Sequence, residues 1–126
     1  MIRSVLRDAL AQKADRITRC IARARAERTA ATDFATDLTH QDAAILNVQR
    51  ACELAIDMAN MVVADRQWGL PGSARESFAL LQSNGWIDAD LAASLGRMVG
   101  FRNVAVHAYD DLDLSIAEAV IDKNID

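Results

Sequence analysis

Four side chains able to do proton or phosphate chemistry crowd into one short stretch, Phe101-Arg102-Asn103-Val104-Ala105-Val106-His107-Ala108-Tyr109-Asp110. The whole chain has 1 tyrosine and 2 histidines, so the clustering of Arg102, Asn103, His107 and Tyr109 is informative. The set suits cleavage of an RNA phosphodiester. An imidazole that titrates near neutrality can take a proton from a 2′-hydroxyl or give one to the leaving oxygen. A guanidinium can hold phosphate through two parallel hydrogen bonds and stabilise the charged transition state. An amide can orient the ring or bind a phosphate oxygen. One imidazole does not readily serve as both acid and base in a concerted step. A twofold dimer that brings two such motifs together removes that difficulty.

A structural reading of the same residues stands beside this one. A histidine near a helix end is commonly a satisfied structural residue. An arginine in a helical bundle commonly pairs with a carboxylate, and Glu53 or Asp57 can be that partner. Glu53 and Asp57 lie four apart, hence on one side of a helix. They read as partners for arginines of a neighbouring helix rather than as an acid/base pair.

Spacing constrains the element that carries the motif. Asn103 and His107 are i,i+4 and share a helix face. Arg102 and His107 are five apart, about 140° around an ideal helix. The motif therefore fits a helix C-terminus that loosens near Ala108, where Tyr109 can turn back toward His107 and the helix dipole favours a protonated ring.

The rest of the chain reads as helices that position this one. Apolar residues from Ile2 to Ile21 recur at steps of three and four, which predicts a helix over about 2–29. Thr39 with Asp42 resembles a capping box for a second long helix over about 40–67. Trp68-Gly69-Leu70-Pro71-Gly72 is a loop. Ser73 with Glu76 caps a short helix over about 74–83, which Asn84-Gly85 closes. Asp88 caps the motif helix, about 89–106. Inside that helix Gly96 and Gly100 share a face, and a close packing contact would compensate the cost of glycine there. Asp110, Asp111 and Asp113 break the pattern before a final helix with Leu114, Ile116, Ala117, Val120 and Ile121. The expected architecture is an all-α antiparallel bundle of four to five helices, residues 1–126 forming one domain.

Composition agrees. The chain of 126 residues is 52% hydrophobic and 25% charged, which excludes disorder, and 1 proline and 5 glycines leave little for a turn-rich β fold. Net charge is −4, but residues 1–28 carry eight of the 14 basic residues and a net +5, leaving −9 for the remainder. A basic first helix can face phosphates or an acidic partner, or be a solvated face. Cys20 and Cys52 sit outside any CxxC and read as buried free thiols. No apolar run is long enough for a membrane span or resembles a signal peptide, so a cytoplasmic protein is expected. No metal spacing and no Gly-rich phosphate loop is present, so no cofactor is expected. Ser77, Ser83 and Ser94 lack a nucleophile-elbow context, and His40 reads as a surface residue.

The stretch Glu76-Ser77-Phe78-Ala79-Leu80-Leu81, then Gly85-Trp86-Ile87-Asp88, then Leu91 to Tyr109, resembles the HEPN family of helical proteins, in its HepT-like toxin branch. The family signature is Arg, a polar residue, three further residues, His, any residue, Tyr; Arg102, Asn103, His107 and Tyr109 match it fully. The resemblance implies a homodimer with two motifs facing a shared cleft, and a metal-independent endoribonuclease acting on mRNA or tRNA. It implies catalytic roles for Arg102 and His107 and a supporting one for Asn103. It also implies a partner, a minimal nucleotidyltransferase antitoxin that transfers AMP to Tyr109 and silences the toxin. The alternative is a non-catalytic HEPN subunit that holds substrate for, or regulates, a nucleotidyltransferase.

Overall fold

The computed structural model describes residues 2–107 and Ile121, with the backbone alone for Ile2, Arg3 and His107. Four helices make up the described part: α1 (Ile2–Ala30), α2 (Leu38–Arg66), α3 (Ala74–Ser83) and α4 (Ala89–His107). Their order and extent follow the periodicity within two residues at every end. Ala108 and Tyr109, the acidic break and the expected final helix lie outside the described residues, apart from Ile121. No described helix is long and apolar enough to cross a membrane.

α2 is the central element, packed against each of the other three helices, and α1 lies along it. Its inner side buries Ala44, Ile45, Val48, Cys52, Ile56, Ala59, Val62 and Val63, a spacing of three and four. At one end Phe34 and Ala24 pack with Ala44, Val48, Cys52 and Ile121. At the other, Phe78 and Leu81 of α3 and Val99 of α4 close over Ile56, Ala59 and Val62. Ser77 is fully buried and donates to Asn60 Oδ1 at 2.5 Å, tying α3 to α2.

The start of α2 departs from expectation. Its N-cap is Asp37, whose carboxylate accepts from the His40 N–H at 3.0 Å, so Thr39 lies inside the first turn instead of capping it. A turn built on Asp33 delivers Asp37 in extended conformation, and buried Gln41 donates to the carbonyls of Phe34 and Ala35 at 2.7 and 2.9 Å. The loop is thereby anchored with Phe34 in the core.

Two helix ends share one device. In α3, Gly85 (φ +77) and Trp86 donate to the carbonyls of Gln82 and Leu81, a Schellman motif with glycine in the left-handed position. α2 ends the same way, but the left-handed residue is Gln67 (φ 56), with Gln67 and Trp68 donating to Ala64 and Val63. The helix thus stops before the Gly/Pro loop. The residues that follow the two turns, Trp68 and Trp86, meet edge to face at 5.9 Å, and Arg66 lies over the Trp86 ring. α3 and α4 begin as expected: Ser73 Oγ accepts from the Glu76 N–H, and Asp88 Oδ1 accepts from the Leu91 N–H at 2.7 Å.

Candidate active site

Phe101 and Ala105 fix the rotation of α4, packing inward against Ile45 of α2. Neighbouring residues on a helix are about 100° apart, so this leaves Arg102 beside α2 and turns Asn103 outward. Arg102 is half-buried, and its Nη1 donates to Glu53 Oε1 at 3.0 Å. Its Nε is buried without a hydrogen-bond partner among the described residues. Glu53 is one of the two carboxylates expected to pair with arginines of a neighbouring helix. Asp57, one turn on, instead meets Lys13 of α1 at 3.8 Å.

The pair orients Arg102 without neutralising it fully. The Glu53 side chain is 42% exposed, so water competes for the carboxylate and the net attraction is modest. Beneath it, burial and the Glu53 charge push the Cys52 thiol up to about 12, with Arg102 opposing. Cys52 is therefore a neutral core group, whereas Cys20, expected to be buried, is only half-buried on α1.

Asn103 is exposed, and its side chain makes no hydrogen bond among the described residues. α4 remains helical through His107, so Asn103 and His107 share a side of α4, whereas Arg102 and His107 stand about 140° apart. A single copy thus brings Arg102 to Glu53 and sets Asn103 and His107 on another side. Tyr109 lies outside the described residues. Among the described residues no group of three His, Cys, Asp or Glu side chains is arranged to hold a metal ion.

His40 is not the isolated surface residue the sequence suggested. Its Nδ1 is 2.5 Å from Glu27 Oε2, linking the start of α2 to α1, and its Nε2 faces Asp37. Hydrogen bonds from His40 and Arg23 hold the Glu27 carboxyl below its ordinary range. Sequence reading missed this link because thirteen residues and a turn separate the two side chains.

The chain matches the protein family described as Ribonuclease HepT-like over residues 10–126. It is 40% identical to the mRNA nuclease HepT of Shewanella oneidensis over 121 residues, covering 96% of this chain and 91% of that protein. It also superposes on a toxin–antitoxin crystal structure with AMP-PNP, at TM-score 0.88 and 41% identity, covering 94% of this chain and 89% of the other. A tri-AMPylated Shewanella oneidensis HEPN toxin in complex with MNT antitoxin matches at TM-score 0.88 and 42% identity, with the same coverage of 94% and 89%.

Proposed function

Because this chain belongs to the ribonuclease HepT-like family, we propose that it is the toxin of a toxin–antitoxin pair, an endoribonuclease with Arg102, Asn103 and His107 at its catalytic centre. The observation that carries the site assignment is that Arg102, Asn103 and His107 stand together on the last turns of α4 in a chain matching the Ribonuclease HepT-like family. The Glu53 pairing of Arg102 is also what a structural reading of that arginine expects. The Arg102 guanidinium is held by one nitrogen on Glu53, at the edge of an outward α4 side that carries Asn103.

His107 exchanges the proton of the 2′-hydroxyl or of the leaving oxygen. Arg102 binds the scissile phosphate and stabilises the charge that builds on it. Asn103 orients the phosphate or the ring. The chain works as a homodimer, which supplies a second His107 for the complementary proton transfer and places Arg102 of one copy within reach of the motif of the other.

The antitoxin is a minimal nucleotidyltransferase that places AMP on Tyr109. Support comes from the similar toxin that is AMPylated and bound to MNT antitoxin. AMP on Tyr109 adds bulk and negative charge beside the phosphate subsite, and like-charge repulsion opposes RNA binding.

The test is incubation of the unmodified protein with total cellular RNA in EDTA, beside His107→Ala and Arg102→Ala. Cleavage by the wild type alone, leaving 2′,3′-cyclic phosphate ends, is expected. A folded wild type without AMP on Tyr109 that leaves the RNA intact would replace this reading with the non-catalytic, substrate-holding subunit.

A further inference from the structure

The Lys13–Asp57 contact fixes how α1 and α2 lie alongside each other. The two helices are antiparallel, joined by the short turn at residues 31–37. Each step back along α2 therefore matches a step forward along α1, about 1.5 Å apiece. Glu53, four residues before Asp57, is level with Ile17, and Arg50 is level with Cys20. Glu53 carries Arg102 of α4 at the same height.

Three arginines stand around that level on the same side of the bundle. Arg50 is exposed and shares the outer side of α2 with Glu53 and Asp57, at spacings of three and seven. Arg16 and Arg19 are exposed on α1 and continue from Lys13 around the same edge. That edge lies away from the groove that Ala14, Thr18, Ala22 and Met58 line. Neither Arg16, Arg19 nor Arg50 has a hydrogen bond or ion pair among the described residues. Among the described acids on this side, Glu53 and Asp57 hold Arg102 and Lys13, while Asp15 lies one turn before Arg19 without forming an ion pair to it. Asp8 and Asp15 sit at the outer rim of the α1 stripe. A chain with net charge −4 thus concentrates cations that have no ion pair among the described residues within about two helical turns of its candidate catalytic arginine.

We infer that Arg16, Arg19 and Arg50 form a binding track for the RNA backbone, leading across α1 and α2 to the phosphate held by Arg102. The inference rests on the nuclease reading for what Arg102 does. Charge complementarity and continuity with Arg102 select a polyanion as the occupant. Arg66 and Arg97 are excluded from the track: Arg66 is spent on Trp86 at the far end of the bundle, and Arg97 bonds to Ser94.

The experiment measures binding of a labelled 2′-O-methyl oligoribonucleotide, which cannot be cleaved through its 2′-oxygen, across a salt series, and separately the cleavage of RNA. Each lost phosphate contact lowers the slope of log affinity against log salt by about 0.7 on a single strand. Arg16→Ala/Arg19→Ala/Arg50→Ala should lose about 2 from that slope and raise KM while kcat holds. The triple lysine variant should keep the slope, and Arg97→Ala should behave as wild type. An unchanged slope and KM in the triple alanine variant, with wild type still cleaving, would overturn the track and leave the nuclease intact. Loss of antitoxin binding with an unchanged RNA slope would also overturn it, giving the face to a protein partner. A slope that falls as expected in a wild type that cuts nothing would keep the track and remove the nuclease reading.

Discussion

Arg102 is held through one nitrogen by a half-exposed carboxylate, and the two consequences differ in size. As a contribution to folding, such a half-exposed pair is worth no more than about 1 kcal/mol. In the proposed nuclease, where the pair would aim a guanidinium at phosphate, it matters far more, since a small misplacement of a reacting group costs up to about 100-fold in rate. Glu53→Ala should therefore cut kcat by at least about tenfold while lowering stability by less than about 1 kcal/mol. Glu53→Gln, which keeps an acceptor, should fall between. Equal specific activity in Glu53→Ala, measured as single-turnover cleavage, would reduce the pair to packing. The sequence made both the arginine and its partner legible: Arg102 by its company, Glu53 by its spacing from Asp57. The side of α4 on which each motif residue stands became legible only once Phe101 and Ala105 were seen packed on Ile45, because rotation of a helix is set by what it packs against.

At the level of elements, local chemistry announced α3 and α4 fully and α2 imperfectly. Ser73, Glu76, Gly85 and Asp88 have side chains or backbone freedom suited to helix ends, and each sits at one. The end of α2 does not, since Gln67 occupies a left-handed position that glycine would take without strain. The Trp68–Trp86 contact and the hydrogen bonds of Gln67 and Trp68 over-determine this turn. Gln67 makes no side-chain hydrogen bond among the described residues, so removing its side chain forfeits little. Gln67→Gly should stabilise the protein by about 0.5–1 kcal/mol in denaturant melts, relief of strain exceeding the added entropy of the unfolded chain. A loss of stability would mean that the Gln67 side chain holds the loop. At the start of α2 the sequence pointed to Thr39, whereas the Asp33 turn delivers Asp37 as the cap, a contact local sequence rules weigh poorly.

At the scale of the whole molecule, the two glycines of α4 bear on association. Each costs about 1 kcal/mol relative to alanine inside a helix. Gly100 has an explanation within one copy: a Cβ there would stand 3.2 Å from Arg75 Nη2, and that guanidinium also donates to the Gly96 carbonyl at 3.3 Å. The close contact expected at this face is thus in part made by α3 of the same chain. Gly96 has no such explanation among the described residues, where a Cβ would meet nothing within 4 Å. It lines an open groove between α3 and α4 with Phe78, Ala79 and Gln82, about two helical turns before Asn103. In the proposed homodimer a second copy supplies the missing reason, and the two states of the protein then respond oppositely to one methyl group. Gly96→Ala should stabilise the dilute, dissociated protein by about 1 kcal/mol through helix propensity, yet weaken self-association by sedimentation and lower RNA cleavage with it. Undiminished association in a stabilised Gly96→Ala protein would place the dimer contact elsewhere and leave this side of α4 open to another occupant.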